Sequence, residues 1–207
     1  MKKAFTLNRA SGVNLPDIEK GDLQAIVDYL KPETFLEKDI LKNADFQKGL
    51  FWGIPRWGHP EGHVIYHIRE VLNNIDKLEI STDCRQKLRL VAFSHDTFKF
   101  AEHRGNPRDW TRHHAVLAKN FMEEYIAEKT LLDLIEFHDE AYYIWIDFHI
   151  KKDEAKGNER KKKFLERFSD NLQFYYYFFK CDTATGDKTQ EPVKWFEKTF
   201  DVEAANF

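Results

Sequence analysis

The chain has 207 residues, 42% of them hydrophobic, and a formal net charge of −3. That length supports one sizeable core, and the near-balanced charge excludes a global field drawing the chain onto nucleic acid or an anionic membrane. No run approaches the roughly 20 apolar residues of a membrane span, and the basic start Met1-Lys2-Lys3 lacks the apolar segment of an export signal. Cys84 and Cys181 fit no metal or redox spacing, so a cytoplasmic protein with free thiols is expected. Nine Gly and six Pro are few for a β protein, and 18 Phe with 8 Tyr imply a well-filled core or an aromatic-lined pocket. The expected fold class is all-α, a single-domain helical bundle.

Residues 1 to 16 read as a loose arm ending at Pro16. A helix from about Asp17 to Leu30 follows, ended by Pro32. Short helices come next near Thr34 to Leu41 and Ala44 to Leu50. The stretch Phe51 to Gly62, dense in Gly, Pro and Trp, reads as a structured loop in which Trp52 and Trp57 need somewhere to pack. Beyond it, successive helices each set a metal-capable residue on the inward stripe. The first, about His63 to Leu78, holds His67 between Val64 and Val71, whereas His63 is flanked by Glu70 and Asn74. The second, Thr82 to about Asp96 with Ser81 as cap, carries Cys84, Leu88, Val91, Ala92 and His95. The third, about Asp109 to Ile126, contains His113 and His114, and periodicity favours His114, in line with Trp110, Leu117, Ala118 and Phe121.

A fourth helix, Thr130 to about Phe148, aligns Leu131, Leu134, Ile135, His138, Tyr142 and Trp145. His149 falls about 16 Å further along, too far to share a site with His138. The last long helix, about Asn158 to Asp182, gives the stripe Leu165, Phe168, Leu172, Tyr175, Phe179 and Asp182, and a final helix, Glu191 to Phe200, packs outside. The lysine-rich stretch Lys151 to Lys163 reads as a solvated loop and helix start, so nucleic acid is not an expected partner. The chain divides into N-terminal helices over 1–50, a ligand-bearing body over 51–190 and a C-terminal helix over 191–207, packed as one domain.

His95 and Asp96 close the apolar run Leu88, Leu90, Val91, Ala92 and Phe93. Burying that pair unpartnered is costly, and a bound cation satisfies both side chains. With His67, His114, His138 and Asp182 the inward set reaches four imidazoles and two carboxylates from separate helices. A lone histidine of this kind reads more readily as a satisfied core residue; together the six point to a site. Mixed nitrogen and oxygen donors argue against structural zinc, which favours cysteine. They suit a catalytic site for iron, manganese, cobalt, zinc or magnesium, and six donors suggest two divalent ions bridged by Asp96. Lys99 follows the pair by one helical turn, where a cation would neutralise phosphate. Arg104, Arg108 and Arg112 recur every four residues beside His114, either to grip phosphate oxygens or as a solvated face with Glu102 and Asp109. Asp139 either orients a ligand as an outer acceptor or faces solvent. Trp52, Trp57 and Trp110 either stack a base or belong to the core.

The order H…HD…H…H…D resembles the HD-domain superfamily of metal-dependent phosphohydrolases. The stretch His59-Pro60-Glu61-Gly62-His63-Val64-Ile65-Tyr66-His67 is similar to the H-P-E-G-x-V-x-x-H opening in the HD half of tRNA nucleotidyltransferases. Ala92-Phe93-Ser94-His95-Asp96-Thr97-Phe98-Lys99 resembles A-x-x-H-D-x-G-K, with Phe98 where glycine is usual, which leaves the ligands intact but puts the shape of the following turn in question. His114 with Ala118 matches H-x-x-x-(G/A), His138 the next such position, and Cys181-Asp182-Thr183-Ala184-Thr185-Gly186-Asp187 the closing (A/C)-D-x-x-x-G-D. The likeness spans residues 58 to 187, nearly two thirds of the chain, and residues 1 to 57 do not read as the strands and paired aspartates of a nucleotidyltransferase head, so a stand-alone HD domain is expected.

The resemblance implies an HD-type bundle with His67, His95, Asp96 and Asp182 at a first metal, and His114 and His138 at a second bridged by Asp96. On that basis the expected activity is hydrolysis of a small phosphorylated substrate, a nucleotide or related ester, by metal-activated water. The expected catalytic residues are Asp96, Lys99 and His114, and the expected substrate-binding residues Lys99, Arg104, Arg108 and Arg112. Two alternatives share the ligand order: a mixed-valence diiron oxygenase cleaving C–C or C–P bonds, and a non-catalytic binding or regulatory module.

Overall fold

The computed structural model describes Pro16 and residues 18 to 206. The loose arm read over the first fifteen residues, and position 17 at the expected start of the first helix, lie outside the described residues. Among those described, the chain is all-α, with eleven α-helices, three short 3-10 turns and a single isolated bridge, Arg56 to His59. None of these helices is long and apolar enough to cross a membrane.

The N-terminal helices α1 (Leu23–Leu30), α2 (Phe35–Ile40) and α3 (Ala44–Leu50) are each started by a side-chain cap. The first begins later than its apolar pattern suggests, because Asp22 accepts the Ala25 N–H at 2.9 Å and fixes the start there. Thr34 and Glu37 form a reciprocal capping box on α2. Glu37, fully buried, also accepts from Arg89 Nε at 2.8 Å, and the Arg89 guanidinium is only 1% exposed. That buried pair ties α2 to α5 (Thr82–Ser94).

The helices that carry the site follow. They are α4 (Val64–Ile75), α5, α6 (His114–Met122), α7 (Lys129–Phe137), α8 (Glu140–His149), α9 (Glu154–Phe168), α10 (Leu172–Thr183) and α11 (Glu191–Thr199). The apolar ladder of α4, Val64, Ile68, Val71, Leu72 and Ile75, is buried, and α10 packs across both α4 and α5. Asn74 of α4 donates to the Cys181 and Ala184 carbonyls at 3.0 and 3.3 Å, closing the C-terminal end of α10. Helix α3 lies close against the 3-10 turn Thr97–Ala101; only glycine fits at position 49, since a Cβ there would lie 1.8 Å from the Thr97 carbonyl oxygen.

Three expected long helices are interrupted. The third starts as a 3-10 turn, Trp110–Arg112, and α6 begins only at His114, with His113 as its cap. The last divides into α9 and α10 at Ser169–Asn171, where Ser, Asp and Asn compete for backbone hydrogen bonds. The fourth divides into α7 and α8 at His138 and Asp139. No glycine or proline marks that break; a tertiary contact makes it. The Tyr175 hydroxyl of α10 lies 2.9 Å from both the Phe137 and His138 carbonyls and accepts the Ala141 N–H at 3.1 Å. It supplies partners the interrupted ladder lacks. The Tyr142 and Trp145 stripe therefore does not continue inward, and Tyr142 is 41% exposed. Tyr175→Phe is expected to cost about 2 kcal/mol by leaving those buried groups unpaired, lowering Tm by about 4–8 °C in thermal denaturation.

The loop from 51 to 63 is ordered by contacts of its own. Trp52 packs on the core beneath the Arg104 guanidinium, 4.8 Å from its ring. Trp57, expected to pack, is instead 85% exposed.

Candidate metal centre

The six side chains selected by periodicity converge at the meeting of α4, α5, α6, α7 and α10. The centre is Asp96, 3% exposed, whose two oxygens face different partners. Oδ2 lies 3.7 Å from His67 Nε2 and 3.6 Å from His95 Nε2. Asp182 Oδ1 completes that group, 3.0 Å from His67 Nε2 and 3.8 Å from His95 Nε2. On the other side Oδ1 lies 3.5 Å from His114 Nε2 and 3.7 Å from His138 Nε2. Donor atoms about 2.1 Å from one ion lie roughly 3.0–3.4 Å from one another at octahedral or tetrahedral angles. The Asp96 separations, 3.5 to 3.7 Å, are a little wider than that, and the groups His67, His95, Asp96 and Asp96, His114, His138 are close enough that each could hold a metal ion.

Hydrogen bonding on the far side of each ring supports this. His95 and His138 each follow the last residue of a helix, and each directs Nδ1 at the carbonyl three residues back, Ala92 at 3.0 Å and Ile135 at 2.9 Å. A carbonyl accepts only, so Nδ1 carries the proton and Nε2 presents a lone pair. His67 Nδ1 faces Thr185 Oγ1 at 3.3 Å and Glu61 Oε1 at 3.5 Å; the Thr185 hydroxyl donates elsewhere, to the Asp182 carbonyl at 2.7 Å. His114 Nδ1 faces Glu102 Oε1 at 3.3 Å. All four imidazoles thus turn Nε2 inward with an acceptor behind them, as outer partners of metal-bound histidines do. His67 Nε2 and His95 Nε2 stand 3.2 Å apart with carboxylate oxygens around them. Such a set of donor atoms could hold a cation. Asp96 Oδ1 and His114 Nε2 are buried without a hydrogen-bond partner, and the second group could hold a cation in the same way.

The electrostatics agree. Burial pushes the His95 imidazole down to about 3, the neutral form that ligates metal. Burial and the Lys188 cation lower His67 too. Burial alone would raise the Asp96 and Asp182 carboxyls. Lys99 and His95 hold the first, and Lys188 and His67 the second, well below the usual carboxylate range. His138 is the exception: Asp139 and Asp96 both face it and raise it against its own burial to about 9, so metal binding there has to displace a proton.

A cavity of about 270 Å³ opens onto this centre. Asp96, His138, Asp139 and Asp182 line its floor, Lys99 and Lys188 its sides, and Arg56, Trp57 and Tyr142 its rim. Lys99 Nζ lies 2.5 Å from Asp96 Oδ2, and Lys188 Nζ 2.9 Å from Asp182 Oδ1. Arg104, Arg108 and Arg112 are not among the lining residues. All three are exposed, and Arg104 and Arg108 both pair with Glu102, so their spacing of four does not align them on one helix face. Phe98, standing where glycine would be usual, packs against Phe121 with ring centroids 4.9 Å apart, in the turn that brings Lys99 to Asp96.

Sequence reasoning missed Lys188 and Arg56, since a lone cation in a loop has no periodicity, and it missed Glu61, Glu102 and Thr185 behind the histidines. The loop carrying Lys188 is fastened to the 51–63 loop: Gly58 N–H donates to Asp187 at 2.6 Å, and Gly186, at φ 57°, fits against Pro60 and donates to Glu70 at 3.0 Å. Comparison of the chain with protein-family models, curated proteins and solved structures finds no match.

Proposed function

We propose that the protein is a metal-dependent phosphohydrolase of the HD-domain type, holding two divalent ions and acting on a small phosphorylated substrate such as a nucleotide. One observation carries the reading: Asp96 divides its two oxygens between two groups of imidazoles, at the floor of a cavity flanked by Lys99 and Lys188. His67, His95, Asp96 and Asp182 would hold one ion, and Asp96, His114 and His138 the other. Such ions supply Lewis acidity and lower the pKa of water toward neutrality.

The chain's own residues do the rest. Lys99 and Lys188, each resting on a carboxylate, are within reach of phosphate oxygens entering the cavity, and their charge stabilises the negative charge that builds up in phosphoryl transfer. Glu61 and Glu102, behind His67 and His114, keep those rings oriented. Arg56 at the rim offers a further cation, and Trp57 with Tyr142 offer flat apolar surface for a planar substituent.

The test is elemental analysis of the purified protein together with phosphate release from a panel of nucleotides. The expected result is about two metal ions per chain, and release that His95→Ala abolishes. Two irons with oxygen uptake and no phosphate release would instead favour the diiron oxygenase, and absence of metal and activity after reconstitution with manganese, iron or magnesium would leave a binding module.

A further inference from the structure

Two adjacent His-Asp pairs end two different helices. His95 and Asp96 follow α5, and His138 and Asp139 follow α7. Their backbones repeat each other: φ −51°, ψ −40° at His95 against −57°, −31° at His138, then −107°, −9° at Asp96 against −80°, −9° at Asp139. Both histidines direct Nδ1 at the carbonyl three residues back. One local structure is thus used twice, facing a common centre.

We propose that Asp139 is a direct ligand of the second ion, so that each ion is held by two imidazoles and two carboxylates with Asp96 shared. This rests on the two-ion reading above. Asp139 Oδ2 lies 3.6 Å from His138 Nε2 and 3.7 Å from His114 Nε2, against 3.7 and 3.5 Å for Asp96 Oδ1. The two carboxylates therefore approach the pair of imidazoles at equal range, and His114 Nε2 and Asp96 Oδ1, more than nine-tenths buried, point unpartnered into the space beside them. An outer partner that merely orients His138 would have to sit at Nδ1, and that atom is occupied by the Ile135 carbonyl. Asp139 stands on the ligating side, at a separation too long for a hydrogen bond and matching that of Asp96 Oδ1 from the same two imidazoles.

The assignment changes the chemistry of the centre. Asp96, Asp139 and Asp182 together offset three of the four charges of two divalent ions, and the second ion takes one more protein oxygen from the cavity wall. Fewer of its positions are then left for substrate, which favours attachment through a single oxygen over chelation by two.

The experiment is equilibrium dialysis of the full-length protein against Mn²⁺ or Co²⁺, with metal per chain, the visible cobalt spectrum and thermal stability recorded for wild type, Asp139→Asn, Asp139→Ala and Asp182→Asn. Wild type is expected to hold two ions. Asp139→Asn, of unchanged shape, should bind the second ion at least roughly 100-fold more weakly, beyond the usual cost of losing an outer partner, and Asp139→Ala should hold one. Cobalt bands altered by Asp139→Asn should differ from those altered by Asp182→Asn. Two ions retained by folded Asp139 variants with an unchanged spectrum would overturn the assignment alone. A wild type that binds one ion would overturn the two-ion reading and this assignment together.

Discussion

On the two-ion hydrolase reading, Asp96→Ala is expected to take the protein from two retained divalent ions to none after dialysis, and to remove phosphate release. No other side chain here contributes to both groups. Its Oδ2 faces His67 and His95, and its Oδ1 faces His114 and His138. Removing a partner behind a ligand costs roughly 10–100-fold in affinity, so losing the shared ligand costs each ion more than that. Lys99 would also lose the carboxylate it rests on, 2.5 Å away. Two companion variants sharpen the result. Asp182→Ala should weaken only the ion beside His67 and His95, and His114→Ala only the ion beside His138. Elemental analysis after dialysis reads all three. An Asp96→Ala protein that kept one ion at wild-type affinity would show that the groups are independent and that the carboxylate does not bridge them.

The largest effect on stability is expected away from the site. Glu37→Gln should destabilise the fold by about 3 kcal/mol, a fall in Tm of about 6–12 °C. The carboxylate is fully buried and serves both ends of a junction. Oε1 accepts from Arg89 Nε, while Oε2 accepts the Glu33 and Thr34 N–H groups at 2.5 and 3.0 Å. A neutral amide leaves the Arg89 cation buried and removes one acceptor. The cost stays at the lower end of the range for broken buried pairs because Glu33 and Asp76 also face Arg89, at 3.3 and 3.6 Å. Replacing both partners by apolar residues, Glu37→Leu with Arg89→Met, should recover much of the loss, since no uncompensated charge then remains. Thermal denaturation decides it, and a change below about 1 kcal/mol for the single variant would mean that the pair contributes little.

The fold class was legible because apolar residues recur at helical spacing along most of the chain, and the caps Thr34, Asn43 and Ser81 mark three helix starts. The convergence of His67, His95, Asp96, His114, His138 and Asp182 was legible for the same reason: a polar residue on an otherwise buried stripe must lie inside. What periodicity cannot report is a break made by tertiary contact. Residues 137 to 141 read as uninterrupted helix, and only the Tyr175 hydroxyl, 34 to 38 positions away, divides them. That break brings Asp139 to the cavity, whereas a continuous helix left it open between an outer acceptor beside His138 and a solvent-facing residue. Lys188 was hidden differently. It lies in a loop, where side-chain direction follows from how Asp187 and Gly186 dock on the facing loop.

Helix α10 reaches both halves of the centre. Near its end it carries Asp182, in the middle Phe178 lies edge-on to His95 and His138 with ring centroids 5.2 and 6.4 Å away, and one turn earlier Tyr175 clasps the backbone at His138. The Tyr175 ring itself packs against Phe164 and Phe168, each with its centroid 4.7 Å away. On the two-ion reading, this one helix works as a caliper whose jaws are the two proposed metal positions. Their separation would then be set by aromatic packing before any substrate arrives, and a ligand that needs a wider or narrower gap would have to deform the core to be accepted. Selection among substrates of similar charge would then act through the span between two oxygen atoms, a length set by side chains that never touch the substrate.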